Sequence, residues 1–186
     1  IGDSMPALIA LGARVVLAAR EGRRTMPLEE LYIDYMKKAM RADEIVASLE
    51  VPLPSPRARF RSYKLAKRYD SDISAVCAAF AIEIEDGRIV AARVSFGGMA
   101  ATPRRATHTE RALRDRAWCE QTAREAMSAI ALDCTPIGDM RASAAYQLSR
   151  AWSVEPYYQR WRLSDSTTDE GSVAYAVNGI TARQTL

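Results

Sequence analysis

Two long stretches of strand composition, Ile73 to Glu85 and Arg88 to Phe96, meet at Asp86-Gly87. That dipeptide is a strong hairpin signal, because both residues tolerate the positive φ that a two-residue turn requires. The chain must therefore build a sheet around this hairpin and cover at least one of its faces. Arg59-Phe60-Arg61-Ser62-Tyr63-Lys64 alternates cationic or polar residues with aromatics and supplies a third strand. Tyr69-Asp70-Ser71-Asp72 reads as the turn that joins it to the hairpin. Downstream the period changes. Thr109 to Leu113 begins a short helix, and Cys119 to Leu132 carries Ala123, Ala126, Met127, Ile130 and Ala131 at helical spacing. Ser143 to Trp152 predicts another helix, continuing to Trp161. The expectation is α+β, with a three-stranded antiparallel sheet and helices packed on one face.

The first third is built from shorter pieces. Pro6 to Leu11 predicts a short helix with Pro in its first turn and Gly12 at its end. Ala13 to Ala18 and Arg23 to Met26 read as strands of a hairpin turning at Glu21-Gly22. Pro27 opens a helical turn through Tyr32, and Glu44 to Val51 alternates as a strand that stops at Pro52. Leu53-Pro54-Ser55-Pro56 is a stiff connector and the best boundary, dividing the chain into 1–56, 57–163 and a polar tail 164–186. Ser164 to Gly171 reads as loose, and Val173 to Val177 as a short added strand. The opening Ile1-Gly2-Asp3-Ser4, without an initiating Met, reads as the interior of a longer polypeptide.

Composition excludes several classes. With 48% hydrophobic and 26% charged residues in 186, the chain is neither disordered nor collagenous. Its length buries about 70% of the unfolded surface, so it needs no disulfide or metal staple. The net charge of +3 divides as −1 over 1–56, +6 over 57–163 and −2 over 164–186, too weak to argue for nucleic acid. Cys77, Cys119 and Cys134 are widely spaced, which argues against a metal or iron–sulfur site and fits a reducing compartment such as the cytoplasm. His108, the single histidine, lies in a polar stretch and reads as a solvated surface residue. The longest N-terminal apolar run, Met5 to Ala13, is about half of what a membrane span needs.

Chemistry-bearing candidates are few. Arg57, Arg59, Arg61, Lys64, Lys67 and Arg68 form an acid-free cationic run. It reads either as contact with an anionic ligand or as a solvated sheet face, with Lys64 the hardest to dismiss. Gly97-Gly98-Met99 reads as close backbone packing or as a phosphate loop opening a helix. Asp3 reads as a helix cap or as an acceptor for a ligand hydroxyl.

Ordered short blocks then resemble a known family. Ile1 to Ala13 is similar to the end of the flavin-binding loop in the FAD subunit of xanthine dehydrogenases. Arg23-Arg24-x-x-Pro27-Leu28-Glu29, Glu44-Ile45, Glu50-Val51-Pro52 and Tyr63-Lys64-x-x-Lys67-Arg68-x-x-x-Asp72-Ile73 follow in family order. Phe96-Gly97-Gly98-Met99-Ala100-Ala101-x-Pro103-x-Arg105-Ala106 is the most specific block. Trp118 and Pro136-x-x-Asp139-x-Arg141 complete the series, and the likeness covers about residues 1–150. It is closest to the bacterial type, with a separate molybdenum subunit.

The resemblance implies the second half of an FAD-binding domain of the vanillyl-alcohol-oxidase type, then a CO dehydrogenase flavoprotein C-terminal-like domain. It implies hydroxylation of hypoxanthine or xanthine at a molybdenum centre on another chain. Electrons would pass through iron–sulfur clusters to FAD and then to NAD. The implied partners are the molybdenum-binding subunit and the iron–sulfur domain, without nucleic acid or membrane. Carried over by position, Asp3 lies beside the ribityl chain, Ile45 and Val46 flank the flavin ring, and Lys64 lies near it. Arg68, Tyr69, Asp70, Ser71 and Asp72 form a loop bordering the flavin and influencing NAD access. The family's pyrophosphate loops precede Ile1, so the isolated chain is expected to bind FAD weakly or not at all. The rival expectations are the FAD subunit of an aldehyde or carbon monoxide dehydrogenase, and a non-catalytic anion-binding or assembly module.

Overall fold

The computed structural model describes residues 3–66, 73–138, 172–177 and 180–185. Helix α1 (Ser4–Ala10) ends at Gly12, whose φ of +77° permits two closing bonds. Gly12 N–H donates to the Ile9 carbonyl at 3.0 Å, and Ala13 N–H to the Leu8 carbonyl at 2.9 Å. This is the glycine stop read from the sequence, and it turns the chain into a strand. Strand β1 (Arg14–Ala19) pairs with β2 (Gly22–Pro27) as the expected hairpin. A single 3-10 turn, Leu28–Leu31, follows Pro27. Two short strands not anticipated, β3 (Tyr32–Asp34) and β4 (Lys37–Lys38), form a small ribbon. Strand β5 (Ile45–Glu50) returns to the open edge of β1, giving the order β2-β1-β5. Ile9, Ala13, Val15, Leu17, Leu28 and Leu31 form the core of this first unit.

The second unit is the sheet that the opening hairpin demanded. Strands β6 (Ala58–Ala66), β7 (Ser74–Glu85) and β8 (Arg88–Gly97) pair antiparallel in sequence order. Asp86 and Gly87 both have positive φ, at 48° and 73°, as the two-residue turn requires. A two-residue strand, β9 (Arg104–Arg105), adds a fourth member beyond the three expected. Where β9 stops, the buried Glu110 side chain accepts the Val94 N–H at 2.9 Å and so satisfies the next open edge group.

The register sorts this sheet into two unlike faces. Tyr63, Ala78 and Phe96 stand in one row across the strands, as do Arg61, Phe80 and Val94. This mostly apolar face packs under α2 (Thr107–Leu113) and α3 (Glu120–Asp133), around fully buried Val76, Val94, Phe96 and Met99. The opposite rows are Lys64–Cys77–Gly97 and Ser62–Ala79–Ser95, small and polar. Helix α1 lies on this second face. Helices therefore cover both faces, where the sequence led us to expect one. Ser95 Oγ donates to the Pro6 carbonyl, and Arg93 Nη2 to the Ile9 carbonyl at 2.8 Å, so the polar face fixes α1 through its backbone.

The expected strand near Val173 is present as β10 (Ser172–Val177), paired antiparallel with β11 (Ile180–Thr185). The Ser143 to Trp161 helix, the Tyr69–Asp72 turn and the Ser164–Gly171 tail lie outside the described residues. None of the described helices is long and apolar enough to cross a membrane.

Candidate functional site

The start of α1 and the second sheet meet at Asp3. Its carboxylate accepts Lys64 Nζ from β6 at 2.8 Å on Oδ2 and Ser74 Oγ from β7 at 2.5 Å on Oδ1. The Cys77 thiol donates to the Asp3 backbone carbonyl at 3.3 Å. Asp3 makes no side-chain cap to α1, so its capping reading is corrected: its backbone is already helical, at φ −61° and ψ −24°, where a capping residue is extended, and its carboxylate turns to Lys64 and Ser74 of the neighbouring sheet. Burial acts to raise the Asp3 pKa, but the Lys64 and Ser74 hydrogen bonds and the Lys64 charge outweigh it and hold it below the ordinary value. Burial pushes the Cys77 thiol up to about 12, which keeps it protonated and suits it as a donor. The Asp3–Lys64 pair stays open to solvent, with side chains 43% and 29% exposed.

Ile45 and Val46 are not members of this group. They stand on β5, at the edge of the other sheet, 67% and 48% exposed. A bulge where Leu17 pairs with Val46 and Val16 with Ser48 leaves Ala47 as the extra residue beside them. As neighbours on one strand, Ile45, opposite Ala18, and Val46, opposite Leu17, point to opposite faces of the sheet, so only one of them can lie against a planar ligand on a given face. Arg68, Tyr69, Asp70, Ser71 and Asp72 lie outside the described residues.

The cationic run does not form one patch. Alternation along β6 puts Arg59 and Arg61 on the face opposite Lys64. Arg57 pairs with Glu85, and Lys67 and Arg68 lie outside the described residues. Gly98, at φ +85°, leads into bends and then β9 rather than a helix, and Met99 behind it is fully buried. That is the packing role, not a phosphate loop. Among the described residues no three His, Cys, Asp or Glu side chains group as a metal site.

Three ionic groups were not read from the sequence: several of their residues fall in the family blocks, but nothing in those blocks says which of them pair. Glu44 accepts Arg24 Nε and Nη2 at 2.7 and 2.9 Å, and the Arg41 N–H at 2.7 Å. Arg93 and Arg105 approach Glu29 Oε1 at 3.1 and 3.8 Å, and Arg105 Nε donates to Glu110 at 2.7 Å. Asp133 receives the backbone N–H groups of His108 and Thr109, the Thr109 hydroxyl and the His108 ring. His108 is thus half-exposed but tied through Nδ1 at 2.9 Å, not simply solvated.

Family models place this arrangement. The FAD binding domain in molybdopterin dehydrogenase matches residues 1–54, and the CO dehydrogenase flavoprotein C-terminal domain matches residues 61–154. The chain belongs to the FAD-binding flavoprotein family of the molybdenum hydroxylases. This flavoprotein chain is 35% identical to the nicotinate hydroxylase of Emericella nidulans over 65% of its length and 9% of that protein. It is 31% identical to the xanthine dehydrogenase/oxidase of Gallus gallus, over 73% of the chain and 10% of the relative. With the xanthine dehydrogenase FAD-binding subunit of Escherichia coli O157:H7 it shares 26% identity over 78% of the chain and 50% of that subunit. The chain therefore spans about a tenth of the large relatives and half of the bacterial subunit. Its fold is like a chain of the carbon monoxide dehydrogenase from Hydrogenophaga pseudoflava, with TM-score 0.78 at 24% identity, covering 85% of this chain and 55% of that one. The expected family and fold class both stand.

Proposed function

We propose that this chain is the C-terminal half of the FAD subunit of a xanthine dehydrogenase, an oxidoreductase of the cytoplasm. In this reading, residues 1–56 complete the FAD-binding domain and residues 57–163 form its companion domain. Hypoxanthine or xanthine would be hydroxylated at a molybdenum centre on a partner subunit, and the electrons would leave by way of iron–sulfur clusters and FAD to NAD. The recurrence of xanthine dehydrogenases among the relatives supports the purine substrate. The observation that carries the reading is the half-exposed Asp3–Lys64 pair, formed at 2.8 Å between the two matched regions.

The residues present fit FAD. A carboxylate has about four acceptor positions. Two side-chain donors occupy Asp3, so it has acceptor capacity left for a ribityl hydroxyl. Ile45, 67% exposed, supplies apolar surface for a ring, with Val46 on the other side of the strand. Bound FAD would supply the chemistry that couples iron–sulfur electron carriers to the two-electron acceptor NAD. Lys64 would place a positive charge where reduction leaves negative charge, favouring the reduced form. Asp3 moderates that charge by pairing with it and holds the ammonium in one position.

The test is Lys64→Met in the intact enzyme. The flavin midpoint potential should fall, and xanthine-dependent NAD reduction should slow. An unchanged potential and rate would refute the role of Lys64. An unaltered enzyme that carries no FAD would refute the whole reading.

A further inference from the structure

Ser74 is fully buried, yet its hydroxyl reaches a side chain of the other unit. Plain alternation back from Val76 and Ala78 would aim Ser74 at the apolar face, under the helices. The pairing shifts at that point: Leu65 is opposite Val76, but Ala66 is opposite Ser74, so Ala75 is an extra residue. This bulge turns Ser74 onto the face that carries Lys64 and Cys77. Bulges re-aim single side chains in this way beside functional sites. A buried hydroxyl needs a partner. Here the partner is the half-exposed Asp3 carboxylate, at 2.5 Å, on the oxygen that Lys64 does not take.

We propose that Ser74 is a positioning residue of the flavin site. Its hydroxyl fixes the rotation of the Asp3 carboxylate, so that one oxygen stays on Lys64 and the remaining acceptor positions stay open to a ligand hydroxyl. Cys77, bonded to the Asp3 backbone carbonyl at 3.3 Å, fixes the main chain, and Ser74 fixes the side chain. The inference rests on the FAD reading above and adds a residue to it.

The experiment measures FAD dissociation constants by deflavination and reconstitution of the intact enzyme, in a cycle of Ser74→Ala, Asp3→Asn and the double variant. Ser74→Ala should weaken FAD binding about tenfold, the order expected for a lost bond to a charged group. It should add little in the Asp3→Asn background, because the group it positions has changed. Ser74→Thr, which retains the hydroxyl, should restore affinity, whereas a merely structural role would not separate Ala from Thr in this way. Unchanged affinity in Ser74→Ala, or fully additive effects in the double variant, would overturn the proposal. Absence of FAD from the unaltered enzyme would overturn the reading of the site itself, and this inference with it.

Discussion

Arg93 joins the second sheet to the first unit, and Arg93→Met tests that junction. Its guanidinium donates to the Ile9 carbonyl from Nη2 at 2.8 Å and from Nε at 3.3 Å, and pairs with Glu29 at 3.1 Å. The two bonds converge on one carbonyl and count as one charge-assisted interaction, worth about 2 kcal/mol. The ion pair is partly screened, with side chains 31% and 18% exposed, which limits it to about 1 kcal/mol. The Ile9 carbonyl still accepts the Gly12 N–H at 3.0 Å, so it is not orphaned and adds no further penalty. The expected loss is about 3 kcal/mol. Urea unfolding of the intact subunit measures it, with an unchanged m-value showing that only stability moved. Arg93→Lys keeps the charge but not the planar fork, and should fall between the two. In a cycle with Glu29→Gln the coupling should be about 1 kcal/mol. A loss below about 1 kcal/mol for Arg93→Met would refute the clamp, because the carbonyl bond alone should exceed it.

Glu44 should control part of the acid stability. The bonds from Arg24, then that from Arg41, lower its pKa from 4.5 to about 2. A depressed carboxylate contributes fully above its unfolded value and loses that contribution as pH falls toward the folded one. Glu44→Gln should therefore flatten the stability profile between pH 4.5 and about 2, followed by circular dichroism. Asp133→Ala removes the acceptor for two backbone N–H groups of α2 and the Thr109 hydroxyl, and should cost about 2 kcal/mol in urea unfolding. Phe96→Ala empties a fully buried position that packs edge-to-face on Phe80 at 6.2 Å, and should cost about 4 kcal/mol in the same assay.

The elements that sequence determined are those whose cause is local. Asp86-Gly87 sets a turn because backbone sterics act within two residues, and Gly12 ends α1 for the same reason. The apolar period of α3 follows from 3.6-residue helix geometry, and the alternation along β6 from the two-residue repeat of a strand. The motif order carried the family and drew attention to Asp3 and Lys64, although 60 intervening residues hide their contact. Other features were settled only in the fold. The bulge at Ala75 reverses the facing of Ser74, and nothing in a serine before an alanine announces an extra residue in one strand. Helix α1 covers the polar face of the second sheet because Ser95 and Arg93 meet its carbonyls from 89 and 84 residues away. Glu29, Arg105 and Glu110 become a network, and Asp133 becomes a cap for another helix, only once packing excludes water from them. Sequence periodicity records which face a residue shares with its neighbours. Which partner a polar group finds there is decided when distant segments pack and each buried donor must meet an acceptor.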